Sequence, residues 1–348
     1  MPVTSSSPAT AGHAVLRAAV ADWFARAARD LPWRASDRSP WGVLVSEVML
    51  QQTPVVRVEP AWRSWMERWP EPADLARADT AEVLRAWGRL GYPRRALRLQ
   101  ECAAVVVDRH DGVVPRTEDE LRALPGVGEY TAAAVLAFAY GRRAVVVDTN
   151  VRRVLARTID GVALPAPSYT AAERALATAL TPADDADAAR WAAASMELGA
   201  LVCTARAPRC DACPVAELCA WRAAGSPPDE HAGRRRTQAW HGTDRQCRGR
   251  VMATLREADG PVDRSALVEA WVPGATSMAD DGGPTAPATL AGTGGPATPR
   301  STTGAAGGHP GTRSDVATRL AQLDRAIAGL IEDGLAEQDS AGRLHLPS

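Results

Sequence analysis

The amino-acid sequence predicts an all-α protein. In residues 13–225, leucine, valine and alanine recur at three- and four-residue spacing, which is the repeat of one face of a helix. Short proline and glycine segments interrupt this repeat where helices would end. No stretch of alternating apolar and polar residues competes with it in that range. We therefore expect a succession of amphipathic helices joined by short turns.

The chain divides into segments of different composition. Ser, Thr, Pro and Ala dominate residues 1–12, which we expect to be disordered, and residues 13–225 form the helical core. A polar linker is expected at residues 226–245. Residues 246–348 contain three helical stretches and a terminal hairpin, so they predict a small winged-helix-like module. A Gly/Ala/Thr/Pro tract at residues 274–313 interrupts this module and is expected to be disordered, because it has few large apolar side chains.

Composition limits the class of protein. The chain has 348 residues, of which 46% are hydrophobic, so it can bury a sizeable core. No apolar run approaches the roughly 20 residues that a membrane helix needs, and no membrane partner is expected. The first residues lack the basic start and apolar run of a secretory signal. We therefore expect a cytoplasmic protein.

The basic residues are all arginine, 40 in number. The formal net charge of -1 would by itself argue against a nucleic-acid partner, because phosphate neutralisation is the main sequence-independent attraction. Arginines are nevertheless concentrated at residues 85–98 and 234–236, which supply local positive charge. The absence of lysine excludes any mechanism that depends on a lysine Schiff base.

Four of the six cysteines lie close together, at Cys203, Cys210, Cys213 and Cys219. In a reducing compartment such a cluster indicates metal ligation rather than disulfides. Four thiolates at this C-x6-C-x2-C-x5-C spacing could surround either a tetrahedral zinc ion or a [4Fe–4S] cluster. The spacing alone does not decide between them.

Residues 117–132 predict a helix–hairpin–helix. Thr117 and Glu120 form a capping box that opens a short helix. The Pro-Gly-Val-Gly turn that follows contains Gly126 and Gly128, which permit positive φ and a close backbone approach. The N–H groups at the start of the second helix would form a site for a DNA phosphate, independent of base sequence.

Two carboxylates lie in apolar surroundings. Glu47 belongs to a helix that is otherwise almost entirely apolar, and burial would raise its pKa until it could donate a proton near neutral pH. Asp148 follows a run of valines and precedes a helical pattern, so it is predicted to cap that helix. A carboxylate held at a helix N-terminus can remain ionised and face a developing positive charge. Solvent-exposed or purely structural roles are the alternatives for both residues.

Three segments and the cysteine spacing together resemble the MutY-type adenine DNA glycosylases of the helix–hairpin–helix superfamily. The segments are residues 46–53, 124–128 and 148–151, and the resemblance extends over about residues 31–221. It implies a helical fold of two lobes with a DNA cleft between them. It also implies that the four cysteines bind a [4Fe–4S] cluster rather than zinc.

The resemblance assigns roles to the residues of the active site. Glu47 matches the general acid, which protonates adenine N7 so that the base leaves as a neutral molecule. Asp148 matches the carboxylate that stabilises the oxocarbenium-like sugar, and Asn150 matches its polar partner. Tyr130 occupies the position where related bifunctional glycosylases carry their lysine nucleophile.

The resemblance also identifies DNA-binding residues. Gln52 and Tyr92 match the positions that intercalate where the extruded base has left the helix. Arg34 lies in a segment that is similar to the family's, and the amide of Gln51 can probe or replace a base. The hairpin glycines match the phosphate-binding turn.

The function that the resemblance implies is removal of adenine mispaired with 8-oxoguanine or guanine, during base excision repair and without strand cleavage. Its partner would be double-stranded DNA, and we expect a monomer associated with the nucleoid. A pyrimidine glycosylase similar to endonuclease III would be expected to carry lysine at Tyr130. A non-catalytic DNA-binding protein with a structural zinc knot is the remaining alternative.

Overall fold

The computed structural model describes residues 8–234, 240–273 and 313–348, and within these ranges almost all of the regular secondary structure is helical. A two-stranded antiparallel hairpin, β1 (Glu337–Gln338) with β2 (Leu344–His345), lies near the C-terminus. The helices are α1 (Pro8–Ala27), α2 (Pro40–Leu50), α3 (Val55–Arg68), α4 (Pro72–Ala76), α5 (Thr80–Trp87), α6 (Arg94–His110), α7 (Glu118–Arg122), α8 (Glu129–Tyr140), α9 (Thr149–Thr158), α10 (Ala171–Leu180), α11 (Asp185–Leu201), α12 (Ala220–Ala223), α13 (Asp244–Glu257), α14 (Arg264–Trp271) and α15 (Arg313–Glu332).

Helix α1 begins earlier than the sequence predicts. It begins at Pro8, so residues 8–12, which were expected to be disordered, are helical. Proline is favourable in the first turn of a helix and alanine has the highest helix propensity, which accounts for the earlier start. Residues 1–7 lie outside the described ranges.

Tryptophans form the core of the lobe built from α2 to α6. The ring of Trp65 meets those of Trp69 and Trp87 edge to face, with centroids 4.5 and 5.6 Å apart. The Trp41 indole N–H donates to the carbonyl of Trp69 at 3.2 Å. Large aromatic side chains bury much apolar area, so this cluster holds α2, α3 and α5 in fixed positions.

The second lobe joins α1 to α9, α10 and α11. Helix α11 packs against both α1 and α9. The core consists of small and branched apolar side chains from all four helices, among them Leu16, Val20, Val151, Val154, Leu155, Ala177, Leu180, Ala194 and Leu198. Because α1 and α11 are far apart in sequence, this lobe forms only when both ends of the core segment come together.

Helix α8 contacts α2, α7 and α11 and therefore links the two lobes. The turn before it is the predicted helix–hairpin–helix, but only one of its glycines needs a left-handed backbone. Gly126 has φ of +77°, whereas Gly128 is the extended N-cap of α8 with φ of -94°. In the preceding helix, Glu120 accepts from the Thr117 hydroxyl rather than completing the predicted capping box with the backbone.

Residues Ala239–Ser348 form a compact unit of their own, separate from Met1–Gln238. Helices α13, α14 and α15 pack against one another, and Val262 pairs with Leu344 beside the hairpin. Helix α13 begins two residues inside the predicted linker. Apart from the first residue of α15, the tract at 274–313 lies outside the described residues. No helix in the described ranges is long and apolar enough to cross a membrane.

Candidate active site

One cleft of about 1180 Å³ collects most of the residues that the sequence identifies as functional. Glu47 enters it from α2, Tyr130 from the first turn of α8, and Asp148 and Asn150 from the start of α9. The cleft is also lined by three of the predicted DNA-binding residues, Arg34, Gln51 and Gln52. Residues far apart in sequence therefore meet at a single site large enough for a nucleotide.

Three predicted DNA-binding residues do not line this cleft. Tyr92 lies in the turn before α6 with 43% of its surface exposed. Gly126 and Gly128 belong to the hairpin turn, and a Cβ at Gly128 would meet nothing within 4 Å. These residues are placed to contact something outside the fold rather than something inside the cleft.

Glu47 is the acidic residue of a helix that is buried on all sides. The Ser39 hydroxyl caps α2 by accepting from the Gly42 N–H at 3.0 Å, and every residue from Trp41 to Met49 is buried. Only 5% of Glu47 is exposed. Burial raises its pKa to about 7, and the neighbouring charge of Asp148 acts in the same direction. A carboxyl group with this pKa can hold and release a proton near neutral pH.

Tyr130 interacts with both carboxylates. Its hydroxyl donates a hydrogen bond to Glu47, and burial together with the charges of Glu47 and Asp148 raises the tyrosine pKa well above its usual value. The phenol therefore stays protonated and acts as a donor. The Tyr130 side chain has no amine, so it cannot form a Schiff base with the sugar.

Asp148 caps α9, as the sequence predicts. Its Oδ1 accepts from the Val151 N–H at 2.7 Å, and its Oδ2 accepts from the Asn150 amide at 2.6 Å. Burial raises the pKa of Asp148, while these hydrogen bonds and the charge of Arg153 oppose that rise. Because the donors stabilise the ionised form, Asp148 is the better carboxylate and Glu47 the better acid.

Arg153 orients the Asn150 amide, and the sequence interpretation missed this residue. Its guanidinium donates to Asn150 Oδ1 at 2.8 Å, which leaves the amide N–H group for Asp148. The same guanidinium donates to the carbonyls of Gly199 at 2.7 Å and Cys203 at 2.6 Å. An arginine among the apolar positions of α9 was the available signal. Hydrogen bonds thus connect Asp148 to the start of the cysteine loop.

Helices α9 and α11 approach so closely at Gly199 that no side chain fits there. A Cβ at this position would lie 2.6 Å from the Cβ of Asn150 and 2.8 Å from its carbonyl oxygen. Glycine is therefore required for packing rather than for backbone conformation. The position of Asn150, and through it that of Asp148, depends on this contact.

Glu197 is a third buried acid in this region, and it was also missed. It is fully buried on α11 and forms a two-pronged ion pair with Arg29, with N–O distances of 2.8 and 2.7 Å. Arg34 adds a further contact at 3.1 Å. Despite the opposing effect of burial, these hydrogen bonds hold the pKa of Glu197 at about 2. Glu197 therefore fixes Arg34, whose positive charge acts on Glu47.

The four clustered cysteines surround one small cavity between α9, α11 and α12. Cys203, Cys210, Cys213 and Cys219 all line it, together with apolar side chains. Arg157 is buried beside them and donates to Cys203 Sγ at 3.3 Å. Four convergent thiols with a cationic hydrogen-bond donor suit the sulfur ligands of an iron–sulfur cluster.

The fold and the cleft define a base excision DNA glycosylase of the helix–hairpin–helix class. The sequence profile described as "HhH-GPD superfamily base excision DNA repair protein" matches residues 45–181, which contain Glu47, the hairpin and Asp148. A second profile, "Iron-sulfur binding domain of endonuclease III", matches residues 203–219. The chain therefore has an iron–sulfur binding domain that contains the four cysteines, and the zinc alternative that the spacing left open is not supported.

Comparison with relatives identifies the family within this class of DNA glycosylase. The chain is 46% identical over 324 residues to the adenine DNA glycosylase of Mycolicibacterium smegmatis, covering 93% of both chains. It is 54% identical over 325 residues to that of Mycobacterium tuberculosis, covering 93% of this chain and 91% of the relative. This chain belongs to the adenine DNA glycosylase family. Among solved structures, a thermostable thymine-DNA glycosylase superposes with a TM-score of 0.56 and 27% identity, covering 63% of this chain and all of the other.

The contact at Gly199 predicts the effect of adding one methyl group. Gly199→Ala should displace Asn150 and lower the single-turnover rate of base release about 100-fold, because small displacements at a catalytic group have effects of this size. Iron absorbance should remain that of the wild type. Gly249→Ala is the matched control, since its Cβ would meet only Trp240, at 4.0 Å. If Gly199→Ala and the control release the base at equal rates, the position of Asn150 does not depend on the contact at Gly199.

The burial of Glu47 predicts a pH-dependent cost in stability. Its pKa is 4.5 in the unfolded chain and about 7 in the fold, so the folded state is favoured while Glu47 is protonated. This contribution to the free energy of unfolding decreases as pH rises from 4.5 to about 7. At about pH 8 the ionised group costs roughly 3 kcal/mol.

Glu47→Gln should therefore melt at a higher temperature than the wild type at about pH 8, with a smaller difference at about pH 5. Calorimetry at both pH values measures this difference. Glu67→Gln, at an exposed position of α3, is the control. If the difference in melting temperature between Glu47→Gln and the wild type does not increase with pH, the pKa of Glu47 is not raised by the fold.

Proposed function

We propose that this protein removes adenine from duplex DNA where adenine is mispaired with 8-oxoguanine or guanine, and that it does so without cutting the strand. The observation that carries the proposal is the pair of acids in one cleft, the buried Glu47 with its raised pKa and the half-buried Asp148 with hydrogen bonds to its ionised form. Two such acids divide the work of glycosidic bond cleavage between leaving-group protonation and cation stabilisation.

The reaction begins with proton transfer. Glu47 donates its proton to adenine N7, and the bond between C1′ and N9 breaks with its electron pair passing to the base. Adenine leaves as a neutral molecule, and the sugar becomes an oxocarbenium-like cation. Asp148 faces that cation and stabilises it electrostatically. Water then adds at C1′, and the proton it loses restores the carboxyl group of Glu47.

Tyr130 and the arginine-only composition support hydrolysis without strand cleavage. Cleavage through a Schiff base needs an amine that attacks C1′, and the residue beside the two acids is a phenol. The chain contains no lysine that could replace it. The expected product is an abasic site in an intact strand.

DNA binding is assigned to the surfaces around the cleft. The open N-terminus of α8 at Gly128 suits a backbone phosphate. Gln52 and Tyr92 are exposed and would fill the gap left by the extruded adenine. Arg34 lines the cleft with a buried Nη1 that has no hydrogen-bond partner among the described residues, and this atom could donate to the base or its phosphate. Extrusion costs least at a mispair, which favours mismatched adenine as the substrate.

A single-turnover panel tests the proposal. Duplexes that contain A:8-oxoguanine, A:G, A:C, A:T and T:G pairs are incubated with excess enzyme, and the released base is identified. We expect adenine release, fastest from the 8-oxoguanine and guanine mispairs, and strand breaks only after alkali. If thymine is released from the T:G duplex and adenine from none of the others, the proposal is wrong. The protein would then have the activity for which the structurally similar thymine-DNA glycosylase is named.

Two further measurements test the assigned chemistry. Glu47→Gln should lower the rate by at least about 100-fold, because general acid catalysis contributes that much or more. Glu67→Gln, on the exposed surface of α3, should leave the rate unchanged. Borohydride should trap no covalent enzyme–DNA adduct. Efficient trapping would contradict the hydrolytic mechanism.

A further inference from the structure

Two exposed residues near the cleft have an unusual backbone conformation. Gln52 has φ of +55° and Tyr92 has φ of +48°, in the left-handed region that side chains other than glycine, asparagine and aspartate seldom adopt. Gln52 lies in residues 51–54, between α2 and α3, which we call the first wedge loop. Tyr92 lies in residues 88–93, between α5 and α6, which we call the second wedge loop. Such conformations persist only where surrounding contacts hold them.

A single arginine supplies contacts to both loops. The Arg95 guanidinium donates to the carbonyls of Val48 at 2.7 Å, Met49 at 3.0 Å and Gln51 at 2.6 Å, so it binds the end of α2 and the start of the first wedge loop. It also donates to the hydroxyl of Thr53 at 2.9 Å. The first wedge loop is thus held on both sides of Gln52.

The same guanidinium holds the second wedge loop. It donates to the carbonyls of Leu90 at 3.3 Å and Gly91 at 3.0 Å, and its carbon lies 5.8 Å from the centre of the Tyr92 ring. It also lies 5.1 Å from the centre of the Trp87 ring. The Thr53 hydroxyl also donates to the Leu90 carbonyl at 2.9 Å, which joins the two loops directly. The loops therefore form one unit with Arg95 at its centre.

The geometry requires arginine rather than any cation. The planar guanidinium presents five donors in a fixed fork and can stack on aromatic rings, whereas an ammonium group is a compact point charge. The hydrogen-bond acceptors of Arg95 among the described residues are carbonyls and one hydroxyl, all neutral. Three of these carbonyls lie at the C-terminal end of α2, where a positive charge is favourable.

We propose that Arg95 is the positioning residue of the base-extruding apparatus. It fixes the separation of Gln52 and Tyr92, so that both side chains can enter the duplex when the target base leaves. It also ties both wedge loops to the C-terminus of α2, the helix that carries Glu47. This inference rests on the proposed function, because it assumes that the enzyme extrudes a base.

The test measures extrusion separately from chemistry. A duplex carries the fluorescent base 2-aminopurine in place of the adenine opposite 8-oxoguanine, and its fluorescence rises when the base leaves the stack. Arg95→Lys should reduce the fluorescence rise by about 10- to 100-fold. On the matching duplex that carries adenine, it should reduce the rate of adenine release to the same extent. The affinity for the duplex, measured by anisotropy, and the iron absorbance should change little. Arg68→Lys is the matched control, because Arg68 is also stacked on a tryptophan, Trp69 at 5.2 Å, but holds neither loop.

Two further variants separate positioning from general stability. Thr53→Val removes the direct link between the loops with little change in shape, and it should lower the fluorescence rise in the same direction even if Arg95→Lys does not fold. In a chain that carries Gln52→Ala and Tyr92→Ala, Arg95→Lys should have almost no additional effect, since contacts that act through the same residues are not additive.

Three outcomes would overturn the inference. The first is normal extrusion by both Arg95→Lys and Thr53→Val. The second is a reduction in fluorescence by Arg95→Lys that is just as large when Gln52 and Tyr92 have been replaced by alanine. The third is a wild-type enzyme that binds the duplex without any rise in fluorescence. If the wild type extrudes 2-aminopurine but releases no adenine, the proposed function fails, and the inference about Arg95 is judged on the fluorescence alone.

Discussion

The interaction on which this site depends is the desolvation of Glu47. A carboxyl group surrounded by apolar helix faces is more stable with its proton, and the nearby negative charge of Asp148 strengthens that preference. Asp148 is half-buried, and the hydrogen bonds from Val151 and Asn150 together with the charge of Arg153 oppose the rise in its pKa. For Glu47, the hydrogen bond from Tyr130 and the charge of Arg34 act in the same sense, yet burial still raises its pKa to about 7. The fold thereby gives two chemically similar groups different protonation states. That difference is what allows one to act as an acid and the other as a carboxylate.

The rest of the fold can be understood as support for this pair. Helix α2 brings Glu47 into the core, α8 brings Tyr130 into contact with Glu47, and Asp148 caps the start of α9. Arg153 and Gly199 set the position of Asn150, and the Arg153 guanidinium also donates to the carbonyl of Cys203, in the segment that matches the iron–sulfur binding domain. Hydrogen bonds thus run from the cysteine loop to the carboxylate of Asp148. A cofactor remote from the bond being broken can in this way stabilise the geometry of the site.

Much of this arrangement could be predicted from sequence, because it is local. The apolar helix around Glu47, the N-cap at Asp148 and the four-cysteine loop each lie within a short segment and have a recognisable pattern. Arg95, Arg153 and Glu197 were missed because their roles depend on partners tens to more than a hundred residues away. The requirement for glycine at position 199 is of the same kind, since it arises from a helix that the sequence does not place beside it. Gly128, expected to need a left-handed backbone, serves instead as an extended N-cap, which periodicity cannot reveal.

The most direct test of the account is the titration of Glu47 itself. Infrared difference spectra of the wild type minus Glu47→Gln isolate the stretching band of its protonated carboxyl group across a pH series. The band should persist through mildly acidic pH and disappear with a midpoint near 7. It should shift to a lower midpoint in Asp148→Asn, because a neighbouring negative charge has been removed. A wild-type midpoint close to the ordinary glutamate value of 4.5 would contradict the account.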